Sequence, residues 1–234
     1  MAPTPIEVDI AGLTVTICED DESTAYAARL WDCSVGLSQW MIESLLASSD
    51  AQPLKGKCVV ELGAGTALCS LALLAVEPEI TVIATELEES ALPLMRAAAE
   101  HMGQRQGRKL ALRAELLDIV ADVTSAPLPP CDVLLISDAC YTAELAAAMA
   151  RRCAEALACS PTTRVVVADP GRPHHKAFVD ALHAAGCEAH VEELGAAPTF
   201  AAWLREDEPA SRVRLLHIED DARTFGLSGM PAMC

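Results

Sequence analysis

From residue 57 onward, apolar runs of strand length alternate with longer segments that show helical periodicity. The predicted strands are 57–62, 80–85, 110–115, 132–137, 163–168, 187–193 and 212–218. The predicted helices between them are 67–76, 89–102, 144–158 and 174–184. Alternation of this kind builds a mostly parallel sheet with right-handed crossovers, so we predict an α/β, doubly wound fold with seven strands. No long helix separates the last two predicted strands, which we expect to pair as an antiparallel edge.

The first 50 residues precede this alternation and contain two smaller predicted elements. Alternating runs at 6–10 and 13–17 flank Ala11-Gly12, a pattern that predicts a β-hairpin. Helical periodicity follows over 35–48. Neither an internal repeat nor a domain linker is evident in the sequence. We therefore expect one domain over 1–234, in which 1–50 form the hairpin and helix and 57–220 form the alternating core.

Charge and hydropathy exclude two classes of partner. The formal net charge is −17, and such a surface repels nucleic-acid backbones, whose binding depends on lysine and arginine. It favours a basic or a neutral partner instead. No apolar run is long enough to span a bilayer, and the acidic N-terminal segment is unlike a secretory signal or a transit peptide. We expect neither a nucleic acid nor a membrane as a partner, and the oligomeric state stays open.

The chain contains ten cysteines, without a Cys-x-x-Cys pair or an accompanying histidine cluster. Several of them, such as Cys58, Cys69 and Cys131, lie within apolar patterns, where a thiol behaves as a small hydrophobic side chain. This usage predicts reduced core thiols in an intracellular protein, and no metal site. We expect a cytoplasmic location, with import into an organelle left open.

A glycine turn follows the first strand of the alternating region. The run 59–66 reads as a buried strand that ends in Gly63-Ala64-Gly65, and Glu86 closes the next strand. Strand, glycine turn, helix, strand and acid together are typical of the first half of a nucleoside-cofactor site. A carboxylate at the position of Glu86 can accept hydrogen bonds from both ribose hydroxyls. The alternative is an ordinary strand–turn–helix without a ligand.

Glu61, just before the turn, distinguishes between nucleoside cofactors. The pyrophosphate of a dinucleotide would meet a like charge there, and Leu68 occupies the third glycine position of the dinucleotide fingerprint. S-adenosylmethionine carries a sulfonium and an ammonium and has no phosphate. The sequence therefore favours S-adenosylmethionine over a dinucleotide.

Ligands of such sheets bind at the carboxyl ends of the strands, where further acids are found. Asp118 could accept from an adenine amino group, or it could be a helix cap or a loop residue. Asp138 and Tyr141 would lie over the strand end that faces the cofactor, or else serve as a helix cap and a packing residue. Trp31 could stack on adenine or anchor the core.

A proline-rich turn follows the fifth strand of the alternating region, with the sequence Asp169-Pro170-Gly171-Arg172-Pro173. Such a turn is rigid, and Arg172 could pair with a nearby carboxylate. The next two residues, His174 and His175, are expected to begin a helix rather than to bind a metal, because no third ligand is evident.

Together these residues resemble the seven-strand class I methyltransferases, whose fold is Rossmann-like. Within that class the chain is similar to the family 16 protein-lysine methyltransferases over roughly residues 29–184. The features are Leu30-Trp31-Asp32, the run 60–66, the acid after the second strand, and Asp138-Ala139-Cys140-Tyr141, which fits an Asp-x-x-Tyr/Phe signature. The turn at 169–173 resembles the branch that methylates the β-subunit of electron transfer flavoprotein.

The resemblance implies S-adenosylmethionine as cofactor and a lysine of a protein substrate as acceptor. It implies that Gly63, Ala64 and Gly65 give backbone room to the methionine moiety, with Glu61 near its ammonium. Glu86 would hold the ribose, and Trp31 and Asp118 would lie by the adenosine. Asp138 would contact the cofactor and, together with Tyr141, would frame the acceptor lysine. The chain departs from its relatives at three positions, with Ala67 for glycine, Glu86 for aspartate and Ile119 for tryptophan.

In-line methyl transfer to an amine needs no metal, and positioning supplies much of the rate. A carboxylate near lysine stabilises the charged amine, so we expect Asp138 to orient the acceptor rather than to act as a strong base. One alternative is a small-molecule N- or O-methyltransferase on the same fold. Another is a module that binds S-adenosylmethionine without catalysis.

Overall fold

Strands and helices alternate through residues 3–20, 22–48, 53–138, 140–194 and 213–220, which are the residues that the computed structural model describes. The strands are β1 (Thr4–Ile10), β2 (Leu13–Glu19), β3 (Cys58–Leu62), β4 (Thr81–Glu86), β5 (Leu112–Leu116), β6 (Val133–Ser137), β7 (Arg164–Asp169), β8 (Cys187–Leu194) and β9 (Val213–Asp220). The helices are α1 (Asp32–Leu46), α2 (Leu68–Val76), α3 (Ala91–Gln106), α4 (Ala143–Cys159) and α5 (His175–Ala184). A short 3-10 turn, Tyr26–Ala28, precedes α1.

The central sheet has the strand order β5-β4-β3-β6-β7-β9-β8. Neighbouring strands from β5 to β7 pair in parallel, whereas β9 pairs antiparallel with both β7 and β8. The predicted seven-strand, mostly parallel sheet is confirmed. The antiparallel pair lies at the edge as expected, and the strand of reversed direction, β9, is one position inside that edge.

The order of connections places a crevice at the carboxyl ends of the parallel strands. After β3 the chain moves outward through β4 and β5, and it then returns to β6 on the other side of β3. Crossovers on the two sides of this switch point diverge, and ligands bind in the space between them. The carboxyl ends of β3, β4, β6 and β7 are therefore the place to look for a site.

Two aliphatic layers cover the sheet. Helices α1, α2 and α3, together with the hairpin, pack against one face, and α4 and α5 pack against the other. Successive residues of a strand point to opposite faces, so Val59 joins the first layer and Val60 the second. Both side chains are fully buried, as a parallel strand covered on both faces requires.

The predicted N-terminal hairpin is also confirmed. Strands β1 and β2 pair antiparallel around Ala11-Gly12, where both residues have a positive φ, of 51° and 80°. The hairpin lies on the outer side of α2 and α3 through β2. Helix α1 begins at Asp32, three residues before the predicted start, because Trp31 is in an extended conformation and forms its N-cap.

Candidate active site

The glycine turn joins β3 to α2 through three residues in the left-handed region. The values of φ are 62° at Gly63, 53° at Gly65 and 58° at Ala67. Only glycine adopts this conformation without a steric penalty, so the backbone at Ala67 is strained. The family that the chain resembles usually has glycine at this position. The Ala64 amide donates 2.9 Å to the carbonyl of Thr85, which fixes the turn against the end of β4.

The 3-10 turn at 26–28 passes close over the glycine turn. A Cβ built on Gly65 would lie 3.5 Å from the carbonyl oxygen of Ala27, and one built on Gly63 would lie 3.8 Å from the Met149 side chain. Larger side chains at these positions would fill the space beside the turn. Both distances are ordinary van der Waals contacts, so it is the positive φ that favours glycine at 63 and 65, and the room that these residues would give a cofactor stays a prediction.

Glu86 ends β4 and reaches back to the glycine turn. Its Oε2 accepts a 3.1 Å hydrogen bond from the Gly65 amide, and its Oε1 accepts a 2.8 Å bond from the Leu87 amide. A carboxylate has about four acceptor positions, so capacity remains for two ribose hydroxyls. The longer glutamate side chain, in place of the commoner aspartate, spans the gap between the two strand ends.

Glu61 is buried beneath α2, with 1% of its surface exposed. It points to the same face as Val59, and its Oε2 accepts from the Ser70 amide at 3.0 Å and the Ser70 hydroxyl at 2.5 Å. Burial raises the pKa of the Glu61 carboxyl to about 7, although the two hydrogen bonds from Ser70 act in the opposite direction and lower it. Its sequence-predicted role beside the ligand ammonium stays a prediction, and its contacts here are with the first turn of α2.

Asp118 lies in the loop that follows β5, and its side chain is exposed. Its Oδ1 accepts a 2.9 Å bond from the Val120 amide, which is an Asx turn of the kind expected for a loop aspartate. The neighbouring Ile119 is 7% exposed and packs with the core beneath α4 rather than lying open. The adenosine-side role of Asp118 stays a prediction.

Arg152 of α4 holds the loop over residues 118–126. This role was not predicted from the sequence. It is fully buried, and it donates to the carbonyls of Asp118, Ile119, Ala121 and Ala126 over 2.9–3.2 Å. It also pairs with Glu155 at 2.8 Å. The available signal was an arginine on the same helix face as apolar core residues, since a buried guanidinium needs partners for all its donors.

Asp138 follows β6 and has a positive φ of 54°, a conformation that aspartate tolerates better than most residues. Its carboxylate forms a bidentate pair with Arg172, with Nε to Oδ1 and Nη2 to Oδ2 both 2.6 Å. The predicted pairing of Arg172 with a nearby carboxylate is therefore present. Asp138 is not a helix cap, because Thr142 caps α4 by accepting from the Leu145 amide at 3.1 Å.

Asp169, at the end of β7, supports the residues around Arg172. It is 1% exposed, and its Oδ1 accepts a 3.1 Å bond from the Arg172 amide. Nδ1 of His175 lies 2.8 Å from its Oδ2, within ion-pair distance but outside the direction of a hydrogen bond. The histidine begins α5, as predicted.

Tyr141 is 60% exposed and stands among acidic side chains. Partial burial first, and then the carboxylates of Glu86, Glu88 and Asp138, raise the pKa of its phenol. The negative charges of both Glu86 and Asp138 therefore act on the Tyr141 phenol. The structure brings the sequence-predicted acceptor residues to the same end of the sheet as Glu86.

Trp31 is partly exposed at the start of α1. Its indole N–H donates 3.0 Å to the carbonyl of Tyr26, and the two rings lie 5.9 Å apart at an angle of 36°. An indole whose N–H is satisfied and whose ring is 38% exposed is neither a sealed core anchor nor a free stacking platform. Stacking of Trp31 on adenine stays a prediction.

Exposed large apolar side chains gather around this end of the sheet in the part of the chain that the structure describes. Of the seven such residues, Leu46 lies elsewhere. The other six lie at or next to strand carboxyl ends or just before α1, and they are Tyr26, Trp31, Leu87, Leu116, Val120 and Tyr141. Single exposed apolar residues are ordinary, but a concentration at one edge is typical of a ligand- or partner-binding surface. This observation agrees with the position of the crevice.

Other features of the described residues lie outside this edge. A cleft of about 560 Å³ lies between the hairpin and the C-terminal half of α3, which is at the amino end of the sheet, away from Glu86. Within the described ranges, no three histidine, cysteine, aspartate or glutamate side chains are placed to hold a metal ion. No helix in these ranges is long and apolar enough to cross a bilayer.

Comparison with known proteins gives a family match over most of the chain. A family model described as lysine methyltransferase matches residues 11–185, which is more than half of the 234 residues. None of the curated proteins compared with the sequence matches it.

Several solved structures share the fold. TrmN from Thermus thermophilus is 20% identical, with a TM-score of 0.56, covering 83% of this chain and 51% of that chain. SMU.776, described as a methyltransferase and solved with SAH, is 13% identical, with a TM-score of 0.61, covering 93% of this chain and 56% of that chain. The cyclase SpnF is 13% identical, with a TM-score of 0.56, covering 84% and 85%.

At these identities the structural similarity shows the fold alone. The present chain spans little more than half the length of the first two of these proteins, 51% and 56%. A cyclase among the neighbours illustrates that one fold carries different reactions. The assignment therefore depends on the family match and on the residues of the site.

Proposed function

This chain belongs to the lysine methyltransferase family, whose cofactor is S-adenosylmethionine, and we propose that it methylates the side-chain amine of a lysine in a protein substrate. One observation carries this proposal. Strands β4, β3 and β6 lie side by side in the sheet, so Asp138 and Tyr141, which follow β6, lie at the same edge as Glu86, the acid at the end of β4 that is predicted to hold the ribose. An acceptor amine and a methyl donor would then meet at the carboxyl edge of the sheet.

When bound, S-adenosylmethionine supplies a methyl group on a positively charged sulfur. Glu86 accepts hydrogen bonds from the ribose, in addition to those from Gly65 and Leu87. Asp138 accepts an N–H of the amine and so directs the nitrogen lone pair toward the methyl group. Tyr141 presents its ring face or its hydroxyl to the same amine. Orientation of this kind can contribute roughly 7–11 kcal/mol at best.

The acceptor must lose a proton to solvent before it can attack, because a free lysine amine has a pKa of about 10.4 and is protonated near neutral pH. The nitrogen lone pair then forms the new N–C bond as the C–S bond breaks, and the bonding electrons leave with sulfur. The product amine is released as a methylammonium. No residue of this chain changes its covalent bonding in the step.

Charge supports a basic protein as the partner. The net charge of −17 attracts lysine-rich segments, and Glu86 and Glu88 give the edge near Tyr141 the same sign. The exposed apolar side chains at this edge supply contact area for the same segment. The β-subunit of electron transfer flavoprotein is the first substrate to test, because the turn at 169–173 resembles the branch that methylates it.

Incubation with tritiated S-adenosylmethionine and a cell extract tests the proposal. We expect label in one or a few protein bands, and the labelled protein identifies the substrate. Label found only in small molecules would contradict the proposal and favour the alternative on the same fold. No transfer to either fraction, with cofactor binding retained, would indicate a binding module without catalysis.

The variant Asp138→Asn examines the acceptor side of the site. Asparagine has the same shape and tolerates the left-handed backbone at this position, so the fold should be retained. We expect S-adenosylmethionine still to bind and most of the turnover to be lost, because asparagine offers one oxygen in place of two and that oxygen stays bound to Arg172. Full turnover in this variant would contradict the role of Asp138.

A further inference from the structure

The turn between β7 and α5 fixes Arg172 in one place. Asp169 accepts from the Arg172 amide at 3.1 Å, and the Arg172 carbonyl accepts from the His175 amide at 3.1 Å. Gly171, with φ of 89°, allows the chain to fold back at this point. The backbone of Arg172 is therefore held on both sides, and its side chain points toward the end of β6.

The guanidinium of Arg172 covers the carboxylate of Asp138. Each of the two oxygens receives one 2.6 Å bond from a different nitrogen, which is the parallel geometry that only arginine provides. The Asp138 side chain is 10% exposed and that of Arg172 is 35% exposed. The pair therefore lies at the wall of the site rather than on the outer surface, and the hydrogen bonds that Arg172 donates to Asp138 raise the pKa of Arg172.

Other titratable groups around Asp138 leave the charge of this pair unchanged near neutral pH. Burial raises the pKa of the Cys33 and Cys140 thiols, the latter to about 12, so both are neutral. The phenol of Tyr141, with its raised pKa, is neutral as well. Asp169 faces His175 on the far side of Arg172.

We infer that Arg172 is a positioning residue that cancels the charge of Asp138 and fixes its carboxylate, so that the site accepts a lysine amine in its neutral form. This inference rests on the proposed function. An unpaired carboxylate would hold the acceptor as an ammonium, which cannot attack a methyl group. A paired carboxylate keeps lone pairs that accept an N–H but carries little net charge to retain the proton.

The same arrangement places a positive charge near the entering amine. A cation disfavours a second cation at short range, and therefore lowers the pKa of the lysine. Removal of the guanidinium leaves the full negative charge of Asp138 facing the acceptor, and should raise that pKa. Arg172 thus acts on the reaction through Asp138 and through the field at the acceptor nitrogen.

The test compares Arg172→Gln and Arg172→Lys with the wild-type enzyme. The substrate is the unmethylated form of the protein that the labelling of the cell extract identifies. Turnover is measured across the pH range, alongside the Kd for S-adenosylmethionine and the thermal unfolding temperature. Arg164→Gln is the matched control, because Arg164 is exposed at the opposite end of β7 and its loss changes the net charge equally.

For Arg172→Gln we expect the rising limb of the pH profile to move about one unit higher, which lowers the rate near neutral pH about tenfold. The Kd for S-adenosylmethionine should stay within about twofold of wild type. Arg172→Lys keeps the charge and loses the bidentate geometry. The rising limb of its pH profile should therefore stay in place, while its maximal turnover falls. The control should match the wild type in both respects.

Three results would overturn the inference. The first is an unmoved limb in Arg172→Gln. The second is an Arg172→Gln variant that fails to fold or to bind the cofactor, combined with an Arg172→Lys variant whose turnover reaches the same plateau as the wild type. The third is a moved limb in the control. Failure of the wild-type enzyme to methylate any protein is a separate result, seen before any variant is made, and it would contradict the proposed function and this inference with it.

Discussion

Gly65 donates its backbone N–H to the carboxylate of Glu86 at a distance of 3.1 Å. This bond joins the ends of two neighbouring strands, β3 and β4, and it orients the acid that is predicted to hold the ribose. A second bond, from the Leu87 amide at 2.8 Å, prevents the carboxylate from rotating. The glycine turn and the ribose acid are therefore one structural unit.

Glu86→Gln should weaken the binding of S-adenosylmethionine about tenfold to a hundredfold. Glutamine keeps the length of the side chain but loses the charge and one acceptor, and hydrogen bonds to charged groups are worth roughly 1.5–3 kcal/mol. Titration calorimetry with S-adenosylmethionine and its demethylated product measures the change. Glu89→Gln, an exposed acid in the same loop, is the control, and an equal loss of affinity in both variants would show that only general charge matters.

The buried Glu61 predicts a pH dependence of stability. Its pKa of about 7 in the folded protein lies above the ordinary value of 4.5, so the folded state holds the proton more tightly. This contribution is fully present below about pH 4.5 and is lost as the pH rises through 7. The loss amounts to about 3 kcal/mol, at 1.36 kcal/mol for each pKa unit.

Glu61→Gln isolates this effect, because glutamine does not titrate. The free energy of unfolding of the variant, minus that of the wild type, should increase by about 3 kcal/mol between acidic and alkaline conditions in the absence of cofactor. Denaturant titrations at several pH values give the difference. A difference that stays constant with pH would mean that Glu61 titrates like an exposed acid.

Arg152→Met should destabilise the fold by about 3–5 kcal/mol, because it leaves four loop carbonyls and Glu155 without their partner. Hydrogen exchange should increase within 118–128, where the amides of this loop are found. Arg151→Met is the control on the neighbouring, exposed position. Equal unfolding free energies for the two variants would contradict this account of the loop.

Ala67→Gly should cost less stability than Ala72→Gly, by about 1–2 kcal/mol. Both alanines are fully buried and both variants lose one methyl group, but Ala67 has a φ of 58° and Ala72 lies inside α2. Glycine relieves the left-handed strain at 67 and only adds chain entropy at 72. Chemical denaturation of both variants measures the contrast, and a larger loss at 67 would show that its strain is negligible.

Much of the fold was predictable because the hydrophobic period carries it. Alternation of apolar runs with helical segments gave the seven strands and their connections, and Ala11-Gly12 gave the hairpin. The position of β9 inside the edge was not predictable, because pairing order between two adjacent strands leaves no local pattern in the sequence.

The site was predictable only where a residue follows a strand end. Glu86, Asp138 and Tyr141 are predicted in this way, and the structure brings them to one edge, while their roles stay predictions. The direction of Glu61 depends on the two-residue period of β3, which turns its side chain beneath α2. The role of Arg152 depends on a loop 26–34 residues away in sequence, and long-range partners of this kind are invisible in a single chain.

Amino-acid analysis of the labelled protein tests the central claim most directly. The substrate is labelled with tritiated methyl groups by the wild-type enzyme and by Asp138→Asn, and is then hydrolysed completely. We predict that the tritium elutes as Nε-methylated lysine and that the variant transfers little of it. Tritium in another amino acid, or equal transfer by the variant, would contradict the assignment of a lysine acceptor beside Asp138.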